Sequence, residues 1–134
     1  MEKVVVFSGK RKRAISRVKL KEGAGSIKIN GVPYENLRTF HRLVVTEPVR
    51  ITEQVLGKFN FDAEIKITGG GKEGQMQAAR LGMAKALVKL TGNKELRDAF
   101  LKYDRHLLIA DVRRKEQRKP GDSKARAKRQ KSYR

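Results

Sequence analysis

Gly69, Gly71 and Gly74 stand at the spacing G-x-G-x-x-G. In that pattern a glycine-rich turn lets the backbone approach the pyrophosphate of a dinucleotide, and the N-terminus of the following helix takes its charge. The flanks fit at first. Phe61, Ala63, Ile65 and Ile67 alternate with polar residues and predict a strand before the loop. Ala79, Met83, Leu87 and Leu90 share one side of a predicted amphipathic helix over 75–90 after it. The continuation does not fit. A dinucleotide fold needs a second parallel strand that ends in an acid roughly 20 residues on, whereas Glu95 and Asp98 fall in another helical segment. No Gly-Lys-Ser/Thr follows for a mononucleotide loop. What survives is a helix N-terminus able to hold an anion, and an RNA phosphate serves there as well as a cofactor. Other catalytic groupings are thin. There is no cysteine. His41 and His106 lack metal-ligand spacing and read as packing or RNA-contacting residues. The acids form no acid–base pair. No catalytic residue, metal, cofactor or small-molecule substrate is expected.

The strongest signal is charge. The 134 residues carry 33 Lys+Arg against 14 Asp+Glu, a formal net charge of +19. Such a chain repels itself, and a polyanion relieves the repulsion. An anionic membrane would require a basic helix with a large apolar face, a lipid anchor or a spanning segment of about 20 apolar residues, and none is visible. The charge is also uneven: residues 113–134 hold 11 Lys/Arg and two acids, Glu116 and Asp122. A second concentration comprises Lys10, Arg11, Lys12 and Arg13, with Arg17, Lys19 and Lys21 on a strand face and no acid before Glu22. A charged edge strand explains two or three such lysines; the whole group points to a surface for backbone phosphates. A tail this basic also admits a solvated or localisation-signal reading. Against it stand the arginines, suited to bidentate phosphate contacts, the single bend at Pro120-Gly121, and the ending Gln130-Lys131-Ser132-Tyr133-Arg134, whose groups can stack on bases or bond to sugar and phosphate.

The elements that must hold these groups read as follows. Val4–Phe7 is an apolar strand. Residues 16–21 alternate, Gly23-Ala24-Gly25 turns the chain, Ile27 and Ile29 return, and Asn30-Gly31 turns again, which together suggest an antiparallel meander. Leu37, Phe40, Val44 and Val45 predict a helix, and Pro48 opens a second short one that ends at Gly57. After the glycine loop and its helix, Gly92 is a stop and Asn93 caps a helix carrying Leu96, Phe100 and Leu101. Val112 is the last sizeable aliphatic residue. Beyond it the chain lacks the apolar surface to offset an ordering entropy of roughly 1–2 kcal/mol per residue. The expected division is a globular domain over 1–110 and an extended basic tail over 111–134.

Four segments resemble the small-subunit ribosomal protein nine family, in order and at similar separations. They are Gly9-Lys10-Arg11-Lys12-Arg13-Ala14 with Arg17-Val18; Ile27-Lys28-Ile29-Asn30-Gly31; Gly69-Gly70-Gly71 through Gly74-Gln75 and the Ala79-Arg80 to Ala86-Leu87 helix; and Asp111-Val112-Arg113-Arg114-Lys115-Glu116 running to Lys124-Ala125-Arg126-Ala127 and the end. Tyr103-Asp104-Arg105, Leu107-Leu108 and the last five residues are similar to the archaeal and eukaryotic branch; Tyr133 stands where bacterial members have lysine. The resemblance implies an α+β two-layer sandwich of the ribosomal protein five domain-two-like kind, with helices on one face of a roughly four-stranded sheet. It implies a non-enzymatic constituent of the cytoplasmic ribosome, in the small-subunit head, bound to the 3′ major domain of the ribosomal RNA beside neighbouring head proteins. It also implies a tail that reaches the anticodon stem-loop of the peptidyl-site transfer RNA. Charge and resemblance together put ribosomal-RNA contacts at Lys10, Arg11, Lys12, Arg13, Arg17, Gly70, Gly71, Lys72, Gln75, Arg113, Arg114, Lys115, Arg118, Lys119, Lys124, Arg126, Lys128 and Arg129. They put transfer-RNA contacts at Lys131, Ser132, Tyr133 and Arg134. A free-standing RNA-binding or chaperone protein and a small phosphate-binding enzyme are the alternatives.

Overall fold

Alternating apolar residues build a sheet with one dry face and one wet face. The structure, a computed structural model, describes residues 3–133. It contains β1 (Val5–Arg11), β2 (Ala14–Glu22), β3 (Ile27–Ile29), β4 (Val32–Pro33), α1 (Thr39–Leu56), β5 (Phe61–Thr68), α2 (Lys72–Thr91) and α3 (Lys94–Tyr103), with short 3-10 turns at Tyr34–Asn36 and Arg105–Leu107. The strands form a single sheet in the order β1-β2-β5-β3-β4. Val18, Leu20, Ile29, Ile65 and Ile67 turn inward to meet Val45 of α1, Met83 and Leu87 of α2, and Leu96 and Phe100 of α3. The opposite face is exposed. This is the expected α+β two-layer sandwich, with one strand beyond the four expected; the addition is β4, only two residues long.

Several details depart from the sequence reading. The first strands do not form a simple meander. β1 and β2 pair antiparallel, but β5 lies between β2 and β3, and β3 runs parallel to β5. Asn30 and Gly31 make the expected turn, both at positive φ (49° and 82°). The Asn30 side chain then extends the parallel pairing: its Oδ1 accepts from the Ile67 amide at 2.9 Å. Strand β1 runs on to Arg11 because Gly9 continues its inward face. The two helices expected around Pro48 are one. His41, Val45, Pro48, Val49 and Thr52 of α1 are buried, a stripe that continues at helical spacing across the proline, so packing overrides the break. Helix α2 is not simply amphipathic. Ala78, Leu81 and Gly82 are buried as well as Ala79, Met83 and Leu87, so it is covered on more than one side. Its Arg80, a charged residue in the middle of the helix, is largely buried. Arg80 Nε lies 2.6 Å from Glu47 of α1 and its Nη2 3.1 Å from Asp104, tying three helical segments together.

The contact between α2 and the β1–β2 hairpin is unusually close. A Cβ at Gly9 would stand 2.1 Å from the Ala78 carbonyl oxygen and 2.6 Å from the Gly82 amide nitrogen; one at Gly82 would stand 2.8 Å from a Val18 methyl. Ser16, fully buried, fills the seam: its hydroxyl donates to Ala78 O at 2.6 Å and accepts from Gly9 N at 3.2 Å. Gly9→Ala forces backbone against backbone and is expected to destabilise the domain by about 1–3 kcal/mol. Thermal melting should show a midpoint lower by several degrees; an unchanged midpoint would contradict the close packing.

Candidate nucleic-acid interface

Three segments far apart in sequence meet at one end of the sandwich. The first is the two-residue β1–β2 turn, Lys12-Arg13, between the paired Arg11 and Ala14. Lys12 has φ 53°, a conformation that costs a non-glycine residue about 1–2 kcal/mol and that hairpin turns usually give to Gly, Asn or Asp. A lysine held there keeps an ammonium at the tip of the hairpin. The second segment is the glycine turn. Gly69 and Gly70 have φ 73° and 67° and lie directly on the hairpin: a Cβ at Gly69 would sit 2.7 Å from Arg13 O, and one at Gly70 2.8 Å from Ala14 N. These glycines are explained by backbone contact within the fold. Gly71 is the N-cap of α2 and Gly74 already lies inside it, so the literal G-x-G-x-x-G run is not one loop. Gln75 reaches back, donating from Nε2 to Gly69 O at 3.1 Å.

The third segment is the root of the tail. Asp111 forms an ion pair with Arg11, whose Nε also donates to Gln77 of α2 at 2.8 Å. Asp111 also accepts from Arg113, from its amide at 2.9 Å and from its Nη2 at 2.7 Å. The Arg113 side chain and amide, followed by the charge of Arg11, hold the Asp111 carboxyl far below its ordinary range. Arg114 Nη1 donates to the Lys12 carbonyl at 2.5 Å. Lys12, Arg13, Gly70, Gly71, Arg113, Arg114 and Lys115 consequently line one open groove of about 600 Å³.

The remaining expected contacts fall in three places. Lys10 and Arg17 are exposed on the open sheet face, outside the groove. Lys72 is exposed in the first turn of α2. Arg118, Lys119, Lys124, Arg126, Lys128, Arg129, Lys131, Ser132 and Tyr133 are exposed along a tail in which no described residue is helix or strand. The tail turns at Pro120–Gly121, where Gly121 has φ 65°. Arg126 pairs with Glu116 at 2.9 Å and Lys119 Nζ donates to Ala127 O at 3.1 Å. Arg134 lies outside the described residues. His41 is buried, with Nε2 2.8 Å from Glu73 Oε1, and His106 is exposed. Sequence reasoning missed Asp111 as a participant. Its signal was local: an acid two residues before an arginine, where the aliphatic residues run out. No helix among the described residues is long and apolar enough to cross a membrane.

A family model described as ribosomal protein S9/S16 matches residues 9–134. A protein of the archaeon Methanococcus vannielii, named small ribosomal subunit protein uS9, is 44% identical over 98% of this chain and 99% of its own length. A protein of the same name from Methanococcus maripaludis is 46% identical over the same shares.

The Asp111 clamp makes a prediction. A carboxyl whose pKa is depressed by folding contributes stability above its ordinary value of 3.8 and loses it only as pH falls through the lower folded value, so the clamp is intact at neutral pH. Asp111→Asn should leave the domain folded by circular dichroism and speed tryptic cleavage at Arg113 and Arg114 several-fold. An unchanged cleavage rate would show that the tail root is not held by Asp111.

Proposed function

The chain belongs to the ribosomal protein S9/S16 family, and from that premise we propose that its body, residues 1–110, docks on small-subunit ribosomal RNA through the groove at the hairpin tip. In the same reading, residues 111–134 run from that groove to the anticodon stem-loop of the peptidyl-site transfer RNA. At the coarser level the chain is a structural, non-catalytic constituent of the small ribosomal subunit, and its place is the cytoplasmic ribosome. The ribosomal-RNA partner is the 3′ major domain in the subunit head, with neighbouring head proteins alongside.

The observation that carries this reading is the convergence of Lys12-Arg13, Gly70-Gly71 and Arg113–Lys115 on one groove. Lysine and arginine side chains there are joined by exposed backbone at the N-terminus of α2, a 20-residue helix, whose free amides favour negative charge. A phosphate backbone suits both sets of donors. Not every basic residue plays the same part. Arg11 is committed to Asp111 and Gln77, so it positions the tail root. Lys10, Lys12, Arg13, Arg17, Lys72, Lys115 and the exposed tail residues are the ones that meet phosphate. At the far end Lys131, Ser132, Tyr133 and Arg134 meet the transfer RNA. Tyr133, 88% exposed, offers a ring and a hydroxyl in place of one charge.

Two outcomes test the halves of this reading. Lys12→Gly combined with Arg13→Gln should leave the isolated protein as stable as before or slightly more so, because the strained lysine is gone. Its binding to small-subunit ribosomal RNA should weaken, with a salt slope shallower by about 0.7–0.9 per lost contact. An unaltered slope would show that the groove does not bind the RNA. Deleting Lys131–Arg134 should leave subunit assembly intact and weaken transfer-RNA binding at the peptidyl site, read by filter binding on reconstituted subunits. Unchanged affinity would contradict the destination of the tail.

A further inference from the structure

The two edges of the sheet differ. One is β4, two residues long and ending in Pro33, a form that resists further pairing. The other is β1, seven residues with no proline and no acid. Gly9 shows which way the β1 backbone faces. Its amide nitrogen and its carbonyl oxygen lie 3.2 and 3.4 Å from the Ser16 hydroxyl of β2, so both point toward β2. Backbone direction alternates along a strand. Val6, Ser8 and Lys10 therefore aim their N–H and C=O groups away from β2, at the free edge. Among the described residues no strand pairs with that side. The tail root lies against its tip end, where Asp111 pairs with Arg11 and Arg114 donates to the Lys12 carbonyl. The stretch Val4–Ser8 lies beyond those contacts.

The side chains of this stretch are apolar and incompletely covered. Val4 and Val6 are 43% and 64% exposed. Val5 and Phe7 pack on the core yet stay only partly buried. An unpaired backbone ladder beside four consecutive apolar residues is a template for one more strand. Charge narrows the occupant. Val6 pairs with Lys19, so an added strand would stand two strand spacings, about 9–10 Å, from Lys19. Val6 is short, and a carboxylate on the added strand can meet the lysine above it. A second copy of this chain fits poorly, because each copy carries a net +19. We infer that the Val4–Ser8 edge binds an extended segment of another protein as an added strand. That segment places apolar side chains against Val5 and Phe7 on the helical side and carboxylates toward Lys19 on the open side. The inference stands on the geometry of the edge and does not depend on RNA binding.

The test uses the full chain and a labelled peptide of alternating valine and glutamate, read by fluorescence anisotropy. Two further peptides carry the same charge but are N-methylated, one on the glutamate amides and one on the valine amides. In a strand these two sets of amides lie on opposite edges, and β1 pairs with one edge only. One methylated peptide should therefore bind about tenfold or more weakly, from the loss of two or more ladder hydrogen bonds, and the other as well as the parent. Equal affinity for all three would show plain attraction to a basic chain and overturn the inference, as would equal loss from both. A valine–lysine peptide should not bind; binding as tight as the parent's would overturn the acidic occupant. Ser8→Pro removes one outward N–H and keeps the bonds to β2. It should weaken the parent peptide severalfold while circular dichroism is unchanged, and undiminished binding would count against the edge. Sedimentation that shows a dimer of the chain without peptide would assign the edge to a second copy and overturn the inference.

Discussion

The seam between α2 and the β1–β2 hairpin is the constraint from which the rest follows. Without side chains at Gly9 and Gly82, and with the Ser16 hydroxyl between them, the helix lies almost on the strand backbone. That contact fixes where α2 begins relative to the tip of the hairpin. Gly69 and Gly70 close the gap by resting on Arg13 and Ala14, and inward-facing Arg11 reaches Gln77 and Asp111. A helix N-terminus, a basic turn and a basic tail root are thereby brought together, an arrangement that like charges would oppose on their own. Packing elsewhere holds it together, and an anionic partner relieves the repulsion.

The distribution of acids sharpens the contrast that the formal charge only hints at. Carboxylates are spent where helices and turns must be joined: Glu47 and Asp104 on Arg80, Asp111 on Arg11 and Arg113, Asp62 on the Gly25–Ser26 turn, and Glu73 beside His41. The Asp104 carboxyl illustrates the balance. Burial raises its pKa, yet the His106 amide and Arg80 outweigh it and the net shift is downward. The cations left over gather on the groove, the open sheet face and the tail. One fold thus separates arginines that join elements, such as Arg80 and Arg11, from the exposed lysines and arginines of the hairpin tip, the sheet face and the tail.

Much of this was legible in the chain, for identifiable reasons. Period-two alternation in β2 and β5, the Asn30-Gly31 turn, the Asn93 cap and the Gly57 and Gly92 stops are local signals, and the structure follows them. Features set by distant contacts were not legible. Pro48 reads as a helix start until its buried neighbours show a continuous stripe. The parallel β3–β5 pairing depends on β5, which comes later in the chain, lying between β2 and β3. The glycine-rich run looks like a nucleotide loop because close backbone approach to a ligand and close approach to a neighbouring hairpin demand the same residue. Charge marked the groove residues, but only the fold shows that the N-terminal cluster divides, with Lys12 and Arg13 at the tip, Arg11 inward, and Lys10 and Arg17 on the open face.

The most direct test of the central claim is a cryo-electron microscopy reconstruction of a small ribosomal subunit containing this chain, read at the groove between Lys12-Arg13 and Gly70-Gly71. RNA backbone is expected there, with phosphate oxygens within hydrogen-bond reach of Lys12, Arg13 or Lys115 and the tail leaving along the same RNA. A groove filled by another protein or open to solvent, with the RNA bound elsewhere on the domain, would contradict it.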